Sequence, residues 1–146
     1  MSHEYPQPFV TVDIVLLTLQ GGELRAALIE RDGEPHAGEW TLPGGWVHTD
    51  ADEDALAAAA RILKAKAGLE TPYLEQLETF ASRHRDPRGW SVSIAYYALV
   101  PLEQFPEGLR AGRITFRLRP VDSIRSLPFD HLEILRAATG RVRSKT

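Results

Sequence analysis

Cysteine is absent from this chain, which excludes disulfides, zinc–thiolate centres and thiol nucleophiles. A strong charge imbalance is also missing: the net charge of −3 gives no whole-domain basic footprint for nucleic acid. There is no long apolar run. The richest stretch, Phe9 to Leu19, is interrupted by Thr11, Asp13 and Thr18 and is too short and polar to span a membrane. Met1 to Pro8 is polar and carries prolines, without the basic-then-apolar order of a signal peptide, so a cytoplasmic protein with no membrane partner is expected. No P-loop, dinucleotide fingerprint or Ser-His-Asp order is present. His3, His36, His48, His84 and His131 show no metal-ligand spacing and read as surface, cap or packing residues; His48, beside an acidic loop, is also carried as a candidate site residue. What is there is ordinary. Hydrophobic residues make up 43% and charged residues 25% of 146 positions, enough for one domain spanning residues 1–146 with a normal core.

The pattern mixes strands and helices without regular βαβ alternation, which predicts an α+β (mixed α/β) fold. Phe9 to Leu19 reads as a strand, Gln20 to Glu23 as a turn, and Leu24 to Glu30 as the second strand of a hairpin. Trp40 to Leu42 is a short extended piece ended by Pro43-Gly44-Gly45. Asp54 to Ala67 reads as a helix with an apolar stripe of Leu56, Ala59, Ala60, Leu63 and Ala67, capped by Asp50 or Asp52 and stopped by Gly68. Tyr73 to Ala81, Ser91 to Val100 and Arg113 to Arg119 read as strands, Pro101 to Gly112 as a loop, and Asp130 to Val142 as a closing helix with Asp130 as its cap.

The chemistry concentrates between Leu42 and Leu69. Gly44-Gly45, read as a turn between strand and helix, lets a ligand approach the main chain and can present amides to phosphate. Seven residues separate Glu53 from Arg61, and six separate Arg61 from Gly68. Glu53, Arg61, Leu63, Gly68 and Leu69, with the approach Trp40-Thr41-Leu42-Pro43-Gly44-Gly45, resemble the Nudix box. The loop between Gly45 and Glu53 is two residues longer than the family's spacing. The resemblance implies a Nudix-like sheet packed between helices, and a Glu53–Arg61 structural pair. It also implies three helix carboxylates converging on Mg²⁺ or Mn²⁺ to cleave a nucleoside diphosphate derivative. At those three positions this chain has Ile62, Ala65 and Lys66. Isoleucine and alanine offer no oxygen ligand, and a lysine repels a divalent cation but can hold a phosphate directly. No metal ligand is therefore assigned, and Glu53 is the one candidate catalytic residue. Glu75 and Glu78, an odd number apart on a strand, are expected on opposite faces.

Tyr73 to Leu77, Arg85-Asp86-Pro87-Arg88-Gly89, Ser93 to Pro101 and Leu127-Pro128-Phe129-Asp130-His131 resemble one Nudix branch. It holds ADP-ribose pyrophosphatase-like proteins and the NrtR-type regulators of NAD metabolism. The resemblance implies degraded boxes that bind ADP-ribose-like ligands, and a homodimer. The regulators also carry a C-terminal winged-helix domain; with Thr146 directly after the closing helix, none is expected here, and the short basic tail Arg141 to Lys145 reads as a solvated helix end. Nucleic acid is accordingly not expected as a partner. The candidate ligand-binding residues are Arg31, Gly44, Gly45, Trp46, Lys66, Arg83, Arg85 and Arg88, since arginine forks suit phosphates and an aromatic ring can stack a base. Trp90 is a second stacking candidate, and Trp40 reads as core or pocket wall.

Three functions remain open. The first is a domain binding ADP-ribose or a related nucleoside diphosphate derivative without metal-dependent hydrolysis. The second is an active Nudix hydrolase using Glu53, the acidic loop and Mg²⁺ or Mn²⁺ as cofactor. The third is an interaction protein in which solvent-facing Ile62 and Ala65 form a small apolar patch.

Overall fold

The computed structural model describes residues 5–70, 73–106, 110–111 and 114–145. Arg113 and part of the predicted loop Pro101 to Gly112 lie outside them. One long strand, β1 (Phe9–Gln20), organises the fold. Its β-branched, mostly apolar sequence suits burial on both faces. Along one edge it pairs in parallel with β6 (Ser91–Leu99) from Phe9 to Leu17. Its other edge is divided. The first part pairs antiparallel with β4 (Gly44–Trp46), Val12 opposite Gly45, and the last part pairs with β2 (Glu23–Glu30) in the predicted hairpin. The short β3 (Trp40–Thr41) runs along the far end of β2. β5 (Glu75–Ser82) closes the sheet outside β6, and β8 (Ile114–Pro120) lies outside β2. Arg110–Ala111 forms a two-residue β7 against β8, where the sequence predicts only loop.

Alternation along β1 divides the core in two. Val12, Ile14 and Leu16 join α1 (Ala55–Ala67), while Val15 and Leu17 join α2 (His131–Ser144). The sheet is therefore held between two helices, as the resemblance implies, and the class is α+β. Asp54 caps α1, its Oδ1 accepting the Ala57 amide at 2.8 Å, so neither Asp50 nor Asp52 does. Gly68 ends the helix with φ 65° and donates its N–H to the Leu63 carbonyl. The buried stripe is Ala58, Ala59, Ile62, Leu63 and Ala67, with Leu56 left 49% exposed. Ile62, expected at the solvent face, is 1% exposed, so the apolar patch of the third reading is absent. Asp130 sits at the cap position of α2 without a side-chain cap bond. A register shift between Gln76 and Glu78 interrupts the alternation of β5, so Glu75 and Glu78 pair with Tyr97 and Ala95, two positions of one face of β6. The expectation of opposite faces for Glu75 and Glu78 fails for that reason.

Candidate functional site

Where β2 and β4 part company along β1, a cleft of about 470 Å³ opens, a size that suits a small ligand. Seven of the eight predicted ligand-binding residues line it: Arg31, Gly44, Gly45, Trp46, Lys66, Arg85 and Arg88. Arg83 is exposed and does not line it. Glu53 and His48 are also exposed and lie outside the cleft lining, as does Trp90.

The glycine pair is strand, not turn. Gly44 faces Asp13 across the β1–β4 ladder, and a Cβ on Gly44 would stand 2.2 Å from Asp13 Oδ1 and 2.8 Å from the Val12 carbonyl. A Cβ on Gly45 would be 3.3 Å from Ile62 Cδ1 and 3.7 Å from Lys66 Nζ. The glycines are thus needed for close approach of β4 to a buried carboxylate and to α1.

Beneath them lies a charged network that sequence reasoning missed. Asp13, 5% exposed, accepts from Ser93 Oγ at 2.5 Å and faces His131 Nε2 at 3.2 Å and Arg85 Nη2 at 3.5 Å. Burial alone pushes the Asp13 carboxyl up; His131, Ser93 and Arg85 outweigh it and hold it below its ordinary range. The Leu42 amide donates to His131 Nδ1 at 3.2 Å. An accepting Nδ1 leaves the proton on Nε2, which then donates to Asp13. Arg85 is consumed by the protein: its fork holds Asp130 at 2.9 Å twice, and Nη1 donates to Ser91 at 2.8 Å. Those bonds fix Arg85 at the cleft wall, and its claim on Asp130 explains why that carboxylate does not cap α2. One signal did exist. A carboxylate in the middle of a β-branched, apolar strand is anomalous unless it is paired.

The upper wall is aromatic and cationic. Phe9 and Trp46 stack with centroids 4.4 Å apart. The Arg88 guanidinium lies 5.3 Å from the Trp46 ring, 5.6 Å from Phe9 and 5.9 Å from Phe129, oriented by a two-point ion pair to Asp86 at 2.8 and 3.0 Å. Arg31 sits 5.0 Å over Phe129 and donates to the Pro35 carbonyl at 2.7 Å. Phe129 holds φ 60°, a left-handed backbone that a bulky residue adopts only when its surroundings enforce it. Burial, then the nearby Arg88, lowers the Arg31 pKa; burial, then Arg31, lowers that of Lys66. Arg31 and Lys66 make no ion pair within 4.0 Å among the described residues, their hydrogen bonds going to the main-chain carbonyls of Pro35 and Gly44. Asp32 and Asp13 offset part of the charge of both cations without pairing with either, an arrangement that can receive an anion.

Arg61 takes a different partner from the one the resemblance implies. Its Nε and Nη2 bind the two oxygens of Asp52 at 2.8 Å each, and Nη2 also donates to the Trp46 carbonyl at 2.9 Å. Asp52 accepts the His48 amide at 2.7 Å, folding the acidic loop back on itself. The Arg61 bonds and that amide hold the Asp52 carboxyl down to about 2. The two-residue lengthening of this loop explains how a neighbouring carboxylate reaches Arg61 while Glu53 turns to solvent. The family's metal does not fit this donor set. Ile62 is core, Ala65 has no oxygen, Lys66 is a cation, and Asp52 is spent on Arg61. Among the described residues no three His, Asp or Glu side chains converge as metal ligands.

Residues 7–141 match the NUDIX domain family model, and the chain belongs to the Nudix family. It is 35% identical over 144 residues to a protein of Acinetobacter baylyi named ADPR responsive transcriptional repressor NtrR, covering 98% of this chain and 58% of that one. It is 30% identical to an ADP-ribose pyrophosphatase of Methanocaldococcus jannaschii, covering 90% of this chain and 73% of that one. The NUDIX domain of Shewanella oneidensis NrtR, solved with ADP ribose, superposes with a TM-score of 0.84 at 32% identity, over 94% of this chain and 90% of that one. NrtR from S. oneidensis has also been solved with a 27mer DNA; that structure matches with a TM-score of 0.84 at 34% identity, over 93% of this chain and 63% of that one. The chain thus spans under two thirds of the repressor's length. The expectation that nucleic acid is no partner is corrected by these matches, one to a named transcriptional repressor and one to a protein solved on DNA. A modest net charge on the Nudix domain does not report on the rest of such a protein. Among the described residues no helix is long and apolar enough to cross a membrane.

Proposed function

We propose that this Nudix domain binds ADP-ribose, or a related nucleoside diphosphate derivative, in the cleft between β2, β4 and α1, without the family's metal-dependent hydrolysis. The observation that carries the reading is the substitution of charge along one face of α1. The positions that would present carboxylates hold Ile62 in the core and Lys66 in the cleft, where burial and then the nearby Arg31 lower the Lys66 pKa. A diphosphate supplies the negative charge that Arg31 and Lys66 lack. The Phe9–Trp46 stack with Arg88 offers a planar surface for a nucleobase. The ligands named for the matched relatives support ADP-ribose as the first compound to test.

The expected result is a thermal shift of the protein by ADP-ribose, because ligand binding stabilises the native state, with no AMP released in Mg²⁺ or Mn²⁺. Arg31→Ala should reduce the shift. Turnover abolished by Glu53→Gln would establish the hydrolase reading instead. No thermal shift and no turnover would leave a scaffold without this ligand.

A further inference from the structure

We infer that the Lys66 ammonium occupies the role of the family's metal ion, so that the cleft takes a free diphosphate and binding neither requires nor benefits from a divalent cation. This inference rests on the proposed ligand class and adds how its charge is met. Lys66 belongs to the last turn of α1 and extends to β4, where Nζ donates to the Gly44 carbonyl. Gly45, whose missing Cβ would lie 3.7 Å from Nζ, leaves the ammonium room at the seam between helix and strand. An ammonium has three donors, and Gly44 is the acceptor the described residues supply. The remaining donors are available to phosphoryl oxygens.

A divalent ion entering the same seam would face Lys66 with Arg31 close by. The buried carboxylate beneath, Asp13, is already engaged by Ser93, His131 and Arg85, and turning to a metal would disturb those contacts. Of the other acids of the lining, Asp86 is held by the Arg88 guanidinium, and Asp32 and Glu30 are solvent-exposed. A cation bound to the diphosphate in solution would instead have to be stripped before entry. Burial and the neighbouring Arg31 disfavour the charged form of Lys66, and an anion beside it opposes that effect.

Titration calorimetry of the full chain tests this with two probes, ADP-ribose and inorganic pyrophosphate, each in EDTA and in millimolar Mg²⁺. The expected result is equal affinity in the two buffers, or weaker affinity in Mg²⁺. Lys66→Met, which keeps the stem and removes the charge, should lose at least about tenfold in affinity. Lys66→Arg should retain metal-independent binding, and it also controls for folding if the Met variant melts early. Lys66→Glu should bind only when Mn²⁺ or Mg²⁺ is added. Tightening of wild-type ADP-ribose binding by tenfold or more in Mg²⁺ would overturn the inference while leaving the ligand reading intact. So would wild-type affinity in a folded Lys66→Met. Pyrophosphate bound in EDTA through Lys66, with ADP-ribose ignored, would uphold the inference and remove the ligand reading. Failure of both probes in both buffers would remove both.

Discussion

Asp13 shows how a single buried side chain governs the floor of the cleft. Its carboxylate gathers Ser93, His131 and Arg85, and through them ties β1 to β6, to the loop before β6 and to the first turn of α2. Gly44 is what leaves it room. Gly44→Ala should therefore cost about 1–3 kcal/mol, as overpacking against fixed atoms does, and chemical denaturation would read it; an unchanged midpoint would show that Asp13 can move away. A second residue-scale prediction concerns acid. Asp52 has its pKa lowered from 3.8 to about 2 in the fold, so its contribution to stability is complete above 3.8 and is lost as pH falls towards 2. Melting temperature against pH should fall less steeply across that window in Asp52→Asn than in the wild type. A parallel fall would mean that the Arg61 pair adds nothing. Asp52's role was not legible in the sequence, and Asp13 showed only as an anomalous carboxylate in an apolar strand. Thr11 and Asp13 alternate with apolar residues as solvent-facing positions do, and only the fold shows that α2 covers that face. Glu53 keeps the family's spacing from Arg61, yet the lengthened loop delivers Asp52 to the guanidinium.

At the scale of elements, α1 carries both core and site, and its rotation decides which side chain goes where. Its limits were readable, because an aspartate start and a glycine stop are local chemistry. Its phase was harder to read, since alanine fits either face and Leu56 promised a stripe that the fold does not bury. Ile62→Ala should lower stability by about 2–5 kcal/mol, the cost of emptying a well-packed core position. Asp54→Ala should cost about 1 kcal/mol through its lost cap. Equilibrium urea unfolding would compare the two. Equal small losses would place Ile62 outside the core and reopen the apolar-patch reading. The Gly44-Gly45 pair teaches a similar lesson. As local sequence it signals a turn, but β1 offers it a ladder partner far away in the chain, and pairing overrides the local signal.

For the molecule as a whole, the divided edge of β1 creates the cleft, and the two helices hold the sheet so that one end of each borders it: the last turn of α1 with Lys66 and the first turn of α2 with His131. The fold was legible because strand and helix patterns are strong and the box spacing is specific. The cleft's cations were named from the sequence, whereas Asp13, Asp86, Phe129 and His131 became visible only when distant segments met. The central claim is a Nudix cleft that holds a nucleoside diphosphate without cleaving it. Phosphorus NMR of ADP-ribose with stoichiometric protein and Mg²⁺ tests it most directly. The account predicts that the diphosphate resonances shift or broaden and that no monophosphate signal grows. A growing monophosphate signal, or diphosphate lines identical to those of the free nucleotide, would contradict it.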